Sequence, residues 1–96
     1  MFILLLGILN KILASKSSKT LLAKFEGKQI DLVAIDTEGY DFEIIKLLNI
    51  KNLLPEVLIY EEVNFDTVTK RECREYLEAL GYTILVRDKD VISTRN

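Results

Sequence analysis

The chain has 96 residues, enough for one small domain with a modest core. Hydrophobic residues make up 49% of it and the formal net charge is -2, so the composition is that of a folded chain without the basic face of a nucleic-acid binder. There is no His and one Cys, Cys73, which rules out an internal disulfide and a zinc site of clustered His and Cys. A single thiol fits a reducing, cytoplasmic compartment.

The first element is the apolar start, Met1-Phe2-Ile3-Leu4-Leu5-Leu6-Gly7-Ile8-Leu9. It is too short for a membrane span of roughly 20 residues. No basic residue precedes it, and Ala14-Ser15-Lys16 is a poor cleavage point, so a signal or anchor segment is the lesser reading. Leu5, Ile8, Leu9, Ile12 and Leu13 recur at helical spacing and predict a buried amphipathic helix over 2–14. A basic linker follows. Thr20 to Phe25 is a short second helix, and Glu26-Gly27-Lys28-Gln29 a turn. Residues 1–28 are thus an N-terminal helix and linker, and 29–96 the main unit.

From Ile30 to Ile35 the sequence is apolar but for Asp31, the pattern of a strand buried on both faces. It runs into Asp36-Thr37-Glu38-Gly39 and then a helix with Phe42, Ile45 and Leu48 on one face. Asp41 and Glu43 complement the helix dipole as surface acids. Pro55 opens a second strand, Glu56 to Glu61. Thr69-Lys70-Arg71-Glu72 reads as a capping box. Cys73, Tyr76, Leu77 and Leu80 form the stripe of that helix, and Gly81 stops it. Tyr82 to Val86 is a third strand, and Val91 to Thr94 a fourth, antiparallel to the third. The alternation predicts an α/β fold with parallel strands, crossover helices and a C-terminal antiparallel hairpin.

Ligands of such sheets sit beyond the carboxyl ends of the strands, where Asp36, Glu38 and Glu61 fall. These are the candidate site residues. Three roles are open to Asp36 and Glu38: accepting hydrogen bonds from hydroxyl or ammonium groups, holding a hard cation, or acting as a general base. Against that stands a bland reading, a carboxylate capping a helix or loop amide. For Glu61 the two readings are even, and for Glu62 a polar strand exit is favoured. Tyr40 and Tyr60 are read as core aromatics rather than pocket lining. Cys73 is read as a packed thiol, since no His is present to activate it. The sequence has no Gly-x-Gly-x-x-Gly and no Walker lysine loop.

The stretch from Ile30 to Lys46 resembles the signature of the FkbM family of S-adenosylmethionine-dependent methyltransferases. In that family a strand of the form I-D-hydrophobic runs into D-[TV]-E-G, an acidic helix start and I-L-K. Pro55 to Glu61 looks like the next strand with its terminal Glu. Leu80-Gly81-Tyr82 is similar to the Leu-Gly-Tyr before the last hairpin, and Asp90-Val91-Ile92 follows in order. Many members carry Lys at the place of Ala34, and some His at that of Glu62. The resemblance covers about 29–96 and implies the C-terminal half of a Rossmann-like class I methyltransferase sheet, strands four to seven of seven. It implies S-adenosylmethionine as cofactor and a hydroxyl of a sugar or secondary metabolite as methyl acceptor. Asp36 and Glu38 would lie beside the reacting groups, Glu61 on the acceptor side. The family's first half carries a glycine-rich turn and a ribose-binding acid. Residues 1–28 do not supply them, since Gly7 and Gly27 stand alone. The expectation is a truncated domain, inactive and unable to bind the cofactor by itself.

Two other readings compete. A half-domain can be a non-catalytic remnant or an interaction module, and the sheet edge left by missing strands would then pair with a second copy or a complementary half, or be covered by the N-terminal apolar helix. Alternatively, Asp36-Thr37-Glu38 looks like the first motif of DEDD-type exonucleases, which hold two metal ions. That fold needs an antiparallel strand directly after its acids and a His or Tyr base.

Overall fold

Five strands and two helices follow from this pattern in a computed structural model, which describes residues 3–6, 30–37 and 39–95. The strands are β1 (Ile3–Leu6), β2 (Leu32–Ile35), β3 (Val57–Glu61), β4 (Thr83–Arg87) and β5 (Asp90–Thr94). The helices are α1 (Asp41–Ile50) between β2 and β3, and α2 (Thr67–Ala79) between β3 and β4. The sheet order is β1-β2-β3-β5-β4. β1, β2 and β3 are parallel, while β5 runs antiparallel to both β3 and β4. The mixed α/β fold therefore has the expected parallel strands and C-terminal hairpin, with the last strand inserted beside β3.

The N-terminal helix expected over 2–14 is not what forms at its start. Ile3–Leu6 is a strand whose Leu4 pairs with Val33 and Leu6 with Ile35. A continuous apolar run serves a buried strand as well as a helix, and pairing along β2 decides it. The β2 edge that the sequence left open is thereby covered. The remainder of that predicted helix, the helix at 20–25 and the turn at 26–29 lie outside the described residues.

β2 also departs from burial on both faces. Val33 and Ile35 are buried, while Leu32 and Ala34 are half-buried. Val33, Leu58, Tyr60 and Val91 form one core with Ile44, Ile45 and Leu48 of α1 and Cys73 and Leu77 of α2. Truncating Ile45 or Leu48 to Ala would cost about 2–5 kcal/mol. The helices are joined directly: the Phe42 and Tyr76 rings meet edge-on at 5.5 Å, and Asn49 Nδ2 donates to the Tyr76 hydroxyl at 2.8 Å.

Both helices stop in the same way. Asn52 (φ 57) and Gly81 (φ 96) take the left-handed conformation just past the last turns. The amides of Asn52 and Leu53 bond back to Asn49 and Leu48, and those of Gly81 and Tyr82 to Glu78 and Leu77. This double bond with its apolar pair is the Schellman motif. α2 starts earlier than the expected capping box. Its N-cap is Asp66, whose carboxylate accepts the Thr69 N–H at 2.7 Å, so Thr69 lies inside the first turn. At the far end Arg95 holds the layers together. Its guanidinium donates to the carbonyls of Leu54 and Leu80 and lies over the Tyr82 ring. The Tyr82 hydroxyl donates to the Pro55 carbonyl.

Candidate active site

The parallel run of β2 and β3 brings Asp36 and Glu61 to the same edge of the sheet, just past Ile35 and at the last residue of β3. Asp36 is exposed and Glu61 half-buried. Their carboxyl groups face each other. The hydrogen bond to Asp36, some loss of solvent and the Asp36 charge hold the Glu61 carboxyl above the ordinary glutamate value; Lys89 works against them. Lys89 Nζ lies 3.8 Å from Glu61 Oε1, and Asp90 faces Glu61 in the β3–β5 register. Glu38 lies outside the described residues.

What fixes this edge is a residue whose place in the first helical turn predicts a surface acid. Asp41, the first residue of α1, has no exposed surface. Its Oδ1 accepts the Thr37 N–H at 3.0 Å and the Thr37 hydroxyl. Its Oδ2 accepts the Glu61 N–H at 2.9 Å. One carboxylate thus ties the turn after β2 to the end of β3, and so sets the spacing of Asp36 and Glu61. Burial raises the Asp41 carboxyl above the usual aspartate value, while its bonds to Thr37 and Glu61 pull it back. A signal was present: 41, 44, 45 and 48 form the apolar stripe of α1, and a charge on a buried stripe needs partners. Gly39 (φ 115) makes the sharp turn between Asp36 and this helix.

Glu62 is not a plain polar exit. It is 5% exposed and forms a forked pair with Arg74 of α2 through both carboxylate oxygens. That pair pins α2 to the end of β3. Tyr40, expected in the core, is 38% exposed on the turn between Asp36 and α1. Tyr60 is buried as expected. Cys73 is buried beneath α2 and burial pushes its thiol up to about 12, which suits packing and not attack. Among the described residues no three His, Cys, Asp or Glu side chains converge as a metal cage. No helix among them is long and apolar enough to cross a membrane.

The model of the FkbM methyltransferase domain matches residues 13–84, about three quarters of the chain. The chain belongs to the FkbM methyltransferase family. No curated protein and no solved structure matches it. Asp36, Asp41, Glu61 and the Glu62–Arg74 pair all fall within the FkbM match, whereas Lys89 and Asp90 lie beyond it. The match also starts ahead of the stretch that carries the resemblance in the sequence, taking in residues from 13 onward. FkbM proteins are methyltransferases that generally use S-adenosylmethionine. The four glycines of the sequence, Gly7, Gly27, Gly39 and Gly81, stand apart and make no glycine-rich motif. Gly39 and Gly81 serve a turn and a helix stop.

Proposed function

We propose that this chain forms the acceptor side of an S-adenosylmethionine-dependent O-methyltransferase site, on a Rossmann-like half-sheet whose cofactor is held by groups outside this chain. The observation that carries this reading is the meeting of Asp36 and Glu61 at the ends of two adjacent parallel strands in an FkbM domain. The acceptor is a small hydroxyl compound, a sugar or a secondary metabolite. Its hydroxyl donates to the Asp36 carboxylate. The hydroxyl proton then passes to this carboxyl pair, in which Glu61 holds a proton more readily than an ordinary glutamate, as suits a general base. Asp41 is a positioning residue, because its carboxylate holds Thr37 and the Glu61 backbone. Glu38, two residues after Asp36 in the chain, is proposed for the same acceptor contact.

The exonuclease reading is weaker, because α1 and not an antiparallel strand follows the acids of β2. The reading as a non-catalytic module shares the missing cofactor turn and differs in what the acids do.

Two titrations test the proposal. Calorimetry with S-adenosylmethionine and this chain alone should give no heat of binding; micromolar binding would refute the half-site. A panel of sugar glycosides and hydroxylated aromatics, followed by backbone amide shifts, should perturb residues 36–37 and 61. The response should vanish in Asp36→Asn. A panel that perturbs no residue at this edge would favour the non-catalytic module.

A further inference from the structure

β4 ends the sheet, and no described strand pairs with its outer edge. Such an edge presents unpaired N–H and C=O groups, and proteins usually guard it with Pro, bulges or central charges. Thr83-Ile84-Leu85-Val86-Arg87 has none of these, only an arginine at its end. Leu85 and Val86 are 59% and 41% exposed.

Beside this edge runs a groove of about 620 Å³ between α2 and β4. The α2 residues that line it include Lys70, Arg71, Glu75 and Glu78, and β4 contributes Ile84 and Val86. Arg74, also on this stripe, is occupied by Glu62. The charges left are two positive ones in the first half of the helix and two negative ones in the second. α2 passes into β4 through the turn at Gly81, so helix and strand run in opposite directions.

We propose that β4 and this stripe of α2 form a self-complementary surface that pairs with a second copy of the chain, joining two sheets into one. A two-fold axis through Leu85, normal to the sheet, places β4 antiparallel to the partner's β4. Leu85 then lies opposite its own copy, Ile84 opposite Val86, and Thr83 opposite Arg87, with no like charges facing. The same rotation lays the two α2 helices side by side and antiparallel. Lys70 and Arg71 of each meet Glu75 and Glu78 of the other. The charge order is complementary to its own reverse, the condition for an isologous dimer. This inference is independent of the methyltransferase reading.

Sedimentation equilibrium over a range of concentrations tests it. The expected result is a monomer–dimer equilibrium that weakens as salt rises. With Arg74 held by Glu62, Lys70→Glu with Arg71→Glu leaves the other charges of the stripe all acidic, and Glu75→Lys with Glu78→Lys leaves them all basic. Each should raise the dimer dissociation constant at least about tenfold, and an equimolar mixture should associate more tightly than the parent. Val86→Lys should prevent association. Circular dichroism melts identify any variant that fails to fold, and the mixing result then decides on the remaining ones. A chain that stays monomeric at every concentration would overturn the proposal. So would dimers indifferent to both charge reversals and to Val86→Lys.

Discussion

Replacing Asp41 by Ala removes one acceptor from three donors, the Thr37 amide, the Thr37 hydroxyl and the Glu61 amide. All three surround a side chain with no exposed surface. A buried donor stripped of its partner costs about 1–3 kcal/mol. The hydroxyl can rotate to another acceptor and the two amides cannot, so the loss should be about 3–5 kcal/mol. A domain of this size is stable by only roughly 5–10 kcal/mol. At about 4–8 °C per kcal/mol, the melting temperature should fall by about 12–40 °C. Asp41→Asn keeps one acceptor oxygen and turns an amide toward a donor, so it should lose about 2–3 kcal/mol. Urea unfolding with the slope m held constant measures both. The pH dependence gives a second readout. Because the folded-state pKa of Asp41 is raised, the stability linked to its protonation is fully present below the ordinary aspartate value and is lost as pH rises through the raised one. The margin of the native chain over Asp41→Asn should therefore narrow across that window. An Asp41→Ala chain within about 1 kcal/mol of the native one would refute the claim that this carboxylate ties β2 to β3.

Further substitutions test other links. Arg74→Met strands the buried Glu62 carboxylate and should cost about 2–3 kcal/mol, less than a fully enclosed pair because Arg74 is itself partly exposed; adding Glu62→Leu should recover part of the loss. Asp66→Ala should lower the melting temperature while Glu72→Ala leaves it unchanged, because Asp66 and not the Thr69–Glu72 box caps α2. Asp36→Asn should leave stability unchanged or raise it slightly at neutral pH, since it relieves a like-charge contact with Glu61. The raised Glu61 value means stability linked to its proton falls as pH rises through that value, so the Asp36→Asn stability curve should be flatter there.

The elements from Ile30 onward were legible because each follows from local chemistry. Gly81 marks a helix end, Pro55 a strand start, and Thr83 to Thr94 a hairpin. The start of the chain was not, because Ile3–Leu6 suits helix and strand equally and only its register with β2 decides. The start of α2 is not legible locally, because two polar residues, Asp66 and Thr69, compete for the cap and the first turn must close before one prevails. At the site, Asp36 and Glu61 could be placed from strand ends alone. Asp41 could not be assigned from its type, since an acid in a first helical turn usually faces water. Its burial comes from the arrival of the Glu61 amide, 20 residues away in the chain. The insertion of β5 between β3 and β4, which sets Lys89 and Asp90 beside Glu61, is likewise a tertiary fact with no local signature.

The most direct measurement of the acceptor-side assignment is a carbon NMR titration of the Asp36 and Glu61 carboxyl groups, with and without a bound hydroxyl acceptor. Glu61 should titrate above the ordinary glutamate range in the native chain and fall back toward it in Asp36→Asn. The acceptor should shift both carboxyl resonances and leave that of Glu62, locked to Arg74, unmoved. A Glu61 that titrates alike in both chains, or acceptor shifts confined to other residues, would contradict the account.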